Sequence, residues 1–340
     1  MASDEFDIIR RYFNSDTLAF PATEVALGIG DDCALLRPGA GMTLAMSMDL
    51  LQEGVHFLAD ADPFLLGKRS LLVNLSDLAA MGARPLCFTL GLCLPRVDAV
   101  WLEAFSRGLA EVAQANNCPL VGGDTSASHP DSGSLTLCIQ VHGELPAGEA
   151  LRRDGAQPGD HIYVTGTLGD AAAGLGILQG RLGATLADAQ RAALLDAFYV
   201  PESRIEAGMC LRSFANACID LSDGLASDLM HVLRASGVGA EIDLQALPLS
   251  AALQGCVPQA LQEQMAVSGG DDYELCFTLP PEREAAMQAA LASLGVPVRH
   301  IGVVRAQQGL LWRKEGTLST RQWQGYRHFS AAHMPDEGEH

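Results

Sequence analysis

Apolar positions recur along this chain in two rhythms, one of strands and one of helices. Thr43 to Asp49 reads as a buried strand, and Pro63 to Gly82 as a helix opened by proline and closed by glycine. Pro85 to Pro95 is an apolar strand, Val97 to Asn116 an amphipathic helix, and Ser134 to Gly143 an alternating strand. After a stretch rich in proline, glycine and charge at 145–159, strand signals resume at His161–Thr165 and run through Gly166–Asp170 into a small-residue helix. Helix is expected again from about 187 to 213, then a strand at Cys218–Leu221 and a helix from Ser222 to Ala235. Further strands are expected at 239–244, 273–279 and 298–304.

Strands and helices are therefore mixed in both halves. The fold class is α/β (α+β) in two domains, with the boundary placed in the Pro/Gly-rich stretch: residues 1–148 and residues 149–340. No short-period repeat or low-complexity segment interrupts this layout.

Composition narrows the function. The chain of 340 residues has 41 acidic against 22 basic residues, a formal net charge of −19, which argues against nucleic acid as a partner. Apolar residues make up 48% and charged residues 19%, the balance of a folded chain. No apolar run reaches membrane-spanning length, and Met1 to Phe13 lacks signal-peptide order, so a soluble cytoplasmic protein is expected. The nine cysteines are scattered singly without a Cys-x-x-Cys pair. Buried reduced thiols are the expectation, rather than disulfides or a zinc site.

The aspartates are not spread evenly. They recur in Gly28-Ile-Gly-Asp-Asp32, Ser47-Met-Asp49, Asn74-Leu-Ser-Asp-Leu78, Gly122-Gly-Asp-Thr125, Ile219-Asp-Leu-Ser-Asp-Gly224 and Gly269-Gly-Asp-Asp272, each where an apolar run meets a loop. One aspartate at a loop is ordinarily a helix cap or a turn former. Six such segments, two with doubled aspartates, exceed what turns require. Asp77 is the clearest case, because the surrounding helix is nearly all apolar and a buried carboxylate is costly unless paired or bound to a cation. Few lysines or arginines lie near these segments. Hard divalent cations would supply the missing charge, and oxygen-rich sites of this type favour magnesium, with phosphate oxygens completing the shell.

The usual phosphate-loop fingerprints fail. Gly67-Lys-Arg-Ser70 lacks the earlier glycine, which is Asp62; Gly28-Ile-Gly30 has Cys33 at the third glycine position, and Gly174-Leu-Gly176 has Gln179 there. There is no Gly-x-Ser-x-Gly elbow and no His-Glu-x-x-His helix. Of the histidines, only His56 lies near an acidic segment.

Taken in order, these segments resemble the thiamine-monophosphate kinases, members of the family that includes aminoimidazole ribonucleotide synthetase and selenophosphate synthetase. The matching stretches are Gly28–Ala34, Glu53–Phe57, Asn74–Ala83, Gly122–Thr125, Tyr163–Asp170, Ile219–Leu225, Ser268–Leu275 and Trp323–Phe329, nearly the whole chain. The resemblance implies an N-terminal domain whose sheet pairs across a homodimer and a C-terminal α/β domain. It implies transfer of the γ-phosphoryl group of ATP onto thiamine monophosphate, assisted by several Mg2+ ions. Asp32, Ser47, Met48, Asp49, Asp77, Asp124, Asp220 and Asp223 match metal positions. Gly123, Asp124, Arg153 and Ser222 match ATP contacts, and His56, Asp271 and Tyr326 match contacts to the thiamine substrate. No protein nucleophile or general base is expected, because the acceptor phosphate is already ionised.

Three departures stand out. Asp271 replaces a glutamate common in the family, Met48 replaces a threonine whose hydroxyl would face a metal, and the loop Ser126 to Gly133 is longer than the family's turn. Selenophosphate synthetase and hydrogenase-maturation readings require a reactive terminal cysteine; here the first is Cys33 and the chain ends Gly-Glu-His340. A purine-biosynthesis synthetase is the stronger enzymatic rival, and a non-catalytic nucleotide- or metal-binding module is the reading from another class.

Overall fold

The computed structural model describes residues 5–129, 133–182, 186–323 and 325–326. Residues 130–132 of the long loop, and Gln324 and Arg327–Phe329 of the closing motif, lie outside them. The chain begins with α1 (Glu5–Ile8), which continues as a π-helical turn, and a small antiparallel pair, β1 (Val25–Leu27) and β2 (Leu35–Leu36). Then come β3 (Met42–Gln52), α2 (Pro63–Ala80), β4 (Arg84–Leu94), α3 (Ala99–Ala115), β5 (Leu120–Ala127) and β6 (Thr136–Pro146). Strands β3, β6, β4 and β5 form one sheet in that order, antiparallel except for β4 and β5, which α3 joins in parallel.

Helix α2 starts where sequence chemistry places it: the Asp62 carboxylate accepts from the Leu65 amide at 3.0 Å, and Pro63 occupies the first helical position. Asp98 caps α3 in the same way. The two helices touch backbone to backbone. A Cβ at Gly67 would sit 2.3 Å from the Phe105 carbonyl oxygen, and one at Gly108 would sit 2.0 Å from that of Phe64.

The second half comprises β7 (His161–Thr165), α4 (Asp170–Leu178), α5 (Asp188–Tyr199), α6 (Ile205–Leu211), β8 (Ala217–Asp220), α7 (Leu225–Ser236) and β9 (Gly239–Asp243). It continues through α8 (Ala251–Gln254), α9 (Gln259–Ser268), β10 (Leu275–Leu279), α10 (Glu284–Ser293), β11 (Val298–Arg305), β12 (Gly309–Lys314) and β13 (Thr317–Ser319). Its seven strands are ordered β13-β12-β9-β11-β7-β10-β8, with β12 and β9 parallel and the other pairs antiparallel. One apolar core runs through both halves: Leu66, Leu71 and Leu75 of α2 belong to the same cluster as Ile205, Leu211, Phe277 and Leu291. That continuity fixes the two sheets against each other.

The fold class is as expected, and four local expectations need correction. The helix expected over 187–213 is two helices, because Pro201 removes a backbone donor and disfavours helix at Val200. Residues 222–224 form a loop before α7, since the amides of Asp223 and Gly224 both donate to the Asp228 carboxylate at 3.0 Å. The strand expected from 273 begins at Leu275, after Asp271 and Tyr273 adopt left-handed φ values of 71° and 50°. Finally, β3 is not buried. It is an edge strand whose alternate residues Leu44, Met46, Met48 and Leu50 face outward, Met46 at 64% exposure.

Candidate active site at the junction of the two sheets

The centre of the candidate site is α2. Its Asn74 donates to the Ser70 carbonyl at 2.8 Å and accepts the Asp49 amide of β3 at 3.1 Å. Ser47 of β3 donates its hydroxyl to Asp77 Oδ2 at 2.5 Å. About 100° round the helix from Asp77, Ser76 donates to Asp220 Oδ2, at the end of β8, at 2.8 Å. A single helix thus gathers acidic side chains from both sheets. Asn74 and Ser76 are buried, and these hydrogen bonds satisfy their side chains among the described residues.

The electrostatics are those of carboxylates short of counter-charge. Burial, with the Asp77 charge as a second cause, pushes Asp49 up to about 6. Asp77 is raised by burial, against the opposing pull of the Ser47 hydroxyl and Arg153. Asp220 is pushed up to about 7 by burial and by Asp77, with Ser76 and Arg153 working in the other direction. Asp228, beneath the 222–224 loop, is pushed up to about 7 by burial and then by Asp220. Arg153 is the guanidinium common to Asp77 and Asp220.

These donors are hard carboxylate and hydroxyl oxygens, the set that suits magnesium. Among the described residues, no group of three or more His, Cys, Asp or Glu side chains converges tightly enough to hold an ion alone. The arrangement fits ions that keep water or take phosphate oxygens in part of their shell.

Other expected residues lie further out. Asp32 is exposed after β1, with its amide bonded to the Asp31 carboxylate at 2.9 Å. Asp124 is exposed and pairs in register with Gly91, which pairs with Cys138, which pairs with Leu50. It therefore shares a sheet face with Leu50 and Met48, opposite to Ser47 and Asp49. The side chain of Met48, 59% exposed, points away from the carboxylates by strand alternation. Gly123 is confined to glycine: its φ is 153°, and a Cβ would meet the Leu90 carbonyl oxygen at 1.9 Å. His56 follows β3 and accepts the Gln52 amide at 3.0 Å.

The 269–273 loop completes the junction. The Asp271 amide donates to the Ser222 carbonyl at 2.8 Å and the Tyr273 amide to that of Leu221 at 2.8 Å, while the Tyr326 amide donates to the Asp223 carbonyl at 3.2 Å. Ser222, Asp223, Asp271 and Tyr326 are thus brought together by backbone.

Two arginines of this junction carry no sequence motif. Arg69 of α2, 1% exposed, donates to Asp271 Oδ1 at 2.5 Å. Arg204, buried at the start of α6, grips Glu274 with Nε at 2.6 Å and Nη2 at 2.7 Å, and Thr165 donates to the same carboxylate at 2.5 Å. The signal available for Arg69 was an arginine inside a largely apolar helix; its partner, 202 residues distant, leaves no trace in spacing.

The chain matches two family models: AIR synthase related protein, N-terminal domain, over residues 30–145, and AIR synthase related protein, C-terminal domain, over residues 157–312. It is 49% identical over 332 residues to thiamine-monophosphate kinase of Escherichia coli (strain K12), covering 97% of this chain and 99% of that one. The crystal structure of thiamine-monophosphate kinase from Stenotrophomonas maltophilia K279a superposes with a TM-score of 0.80 at 42% identity, over 87% of this chain and 93% of that one. A structure of AaThiL complexed with AMPPCP and TMP superposes with a TM-score of 0.74 at 31% identity, over 86% and 89% of the two chains.

Proposed function

This chain belongs to the thiamine-monophosphate kinases of the AIR synthase related family, and we propose that it transfers the γ-phosphoryl group of ATP in line onto the phosphate of thiamine monophosphate. The product is thiamine diphosphate. The observation that carries the mechanism is the set of carboxylates held around α2, Asp220 buried and Asp49 and Asp77 partly buried, with Arg153 beside Asp77 and Asp220. Both reactants are polyanions, so a site this acidic admits them only with cations. Several Mg2+ ions, when bound, neutralise the reacting phosphates and align them.

Within this reading Asp32, Ser47, Asp49, Asp77, Asp220 and Asp223 hold metal, and Met48 contributes through its main chain only. Gly123, Asp124, Arg153 and Ser222 bind ATP; Gly123 is held to glycine by the Leu90 backbone of β4, which leaves no room for a Cβ. His56, Asp271 and Tyr326 bind the acceptor. The chain's own work is to position: no side chain needs to take the acceptor's proton, because a phosphate oxygen attacks already ionised.

The outward row of Leu44, Met46, Met48 and Leu50 supports a homodimer built on β3, since an exposed apolar edge strand is otherwise an aggregation hazard. Asp124 lies on that same sheet face, so its contact with ATP is proposed at the dimer seam. The division into residues 1–148 and 149–340 belongs to this proposal, supported by the two sheets lying on either side of it. No helix among the described residues is long and apolar enough to cross a membrane, and the nine cysteines carry free thiols, which supports a reducing cytoplasm.

The test is incubation with ATP, Mg2+ and thiamine monophosphate, followed by chromatographic separation. Thiamine diphosphate is the expected product. ATP hydrolysis without it, or no reaction, overturns the reading.

A further inference from the structure

Arg69 is an unusual residue to bury. Its guanidinium lies inside the molecule, stacked on the Phe198 ring at 4.1 Å and near that of Tyr273 at 5.7 Å. One terminal nitrogen donates to the Phe198 carbonyl, the other to Asp271 Oδ1 at 2.5 Å, and Nε is buried without a partner among the described residues. An apolar side chain in this place would spare the desolvation of a charge, and such replacements often leave stability unchanged or improved. Helix packing alone therefore does not account for an arginine here.

The partner gives the reason. Asp271 sits at φ 71°, in the left-handed region, and is held there by its amide bond to Ser222. Its Oδ1 receives both Arg69 and the Tyr273 hydroxyl, the latter at 3.2 Å, while no hydrogen bond reaches Oδ2 among the described residues. The side chain remains 26% exposed. One oxygen is clamped and the other is presented.

We propose that Arg69 is a positioning residue for the acceptor. It fixes the Asp271 carboxylate so that Oδ2 faces the substrate, a role that rests on Asp271 being an acceptor contact. Arg69 lies seven residues before Ser76, which places the two on one face of α2 about 10 Å apart along its axis. The same helix face that ties down Asp220 thus ties down Asp271, and α2 sets the distance between the phosphoryl-transfer end of the site and the far end of the acceptor. The shorter side chain of Asp271 in place of glutamate matches a carboxylate drawn back toward a buried cation.

The test is steady-state kinetics of Arg69→Met, Arg69→Lys, Asp271→Asn and the Arg69→Met/Asp271→Asn double variant, with melting temperatures measured alongside. Arg69→Met should raise KM for thiamine monophosphate about tenfold and leave KM for ATP and kcat within about twofold. Arg69→Lys should fall between, because an ammonium keeps the charge but lacks the planar fork and ring stacking that hold Phe198 and Asp271 together. Adding Arg69→Met to Asp271→Asn should change KM no further. The proposal is overturned if Arg69→Met changes only melting temperature, or lowers kcat at unchanged KM, or acts additively with Asp271→Asn. If Arg69→Met does not fold, an unchanged acceptor KM in Arg69→Lys overturns it equally. Wild-type protein that makes no thiamine diphosphate would instead overturn the proposed reaction, a separate outcome.

Discussion

The Ser76 hydroxyl donates to Asp220 Oδ2 across 2.8 Å, joining the middle of α2 to the end of β8. It is one hydrogen bond against the burial and like charge that push Asp220 up to about 7. Asp220 and Asp49, the latter at about 6, both bind protons more tightly folded than unfolded. Their contribution to stability is therefore fullest at low pH and is lost as pH rises through these folded values. Metal-free protein should melt at a lower temperature at pH 8 than at pH 5.5, and Mg2+ should restore it more at pH 8, where the carboxylates are charged. Calorimetry with and without Mg2+ checks this; equal Mg2+ rescue at both pH values would remove these groups from the metal site.

Asp77→Asn should abolish phosphoryl transfer while raising the melting temperature of metal-free protein. The substitution removes a buried charge that repels Asp49 and Asp220, and the amide can still accept from Ser47. Turnover near that of the wild type at low Mg2+ would make Asp77 a structural residue.

The outward direction of Met48 separates two roles. Met48→Thr should leave turnover and the Mg2+ requirement unchanged within about twofold, because the side chain is on the far face of β3 from Ser47 and Asp49. Met48→Glu should shift the protein toward monomer in light scattering by placing charge on the proposed seam. A Mg2+ requirement that fell severalfold in Met48→Thr would put the side chain at the metal after all.

Arg204→Ala should be the most destabilising of these changes. It leaves Glu274 buried without its ion pair, a loss of about 3–5 kcal/mol for such groups. Urea unfolding measures it, and a loss below about 1 kcal/mol would show that Thr165 alone satisfies the carboxylate.

The sequence made the acidic segments legible because each sits where an apolar run stops, and the structure joins those from 47–49, 74–77 and 219–220 around α2. It could not show that Asp124 lies on the opposite sheet face from Asp49. That follows from register across three strand pairs, and Gly122-Gly123 disguised β5 as a loop. Nor could it show the clamps of Arg69 and Arg204, whose partners lie 202 and 70 residues away. Long-range ion pairs have no period to read. Pro201, by contrast, is legible in the sequence, and it divides the span 187–213 into α5 and α6.

The bare backbone contact of α2 with α3 at Gly67 and Gly108 bears on how such an enzyme can be redesigned. Neither position has room for even one methyl group, so the spacing of α2 and α3 is closed to adjustment. Altered substrate preference is not to be sought by shifting the helix that carries Asn74 and Asp77. The adaptable material is the half-exposed Tyr326 and the partly exposed side chain of Asp271, whereas Gly269 and Gly270 are closed by the Met265 and Ser222 carbonyls at 2.3 and 2.4 Å from an added Cβ. For an engineer, one side of this reaction centre is fixed tooling and the other is the exchangeable part.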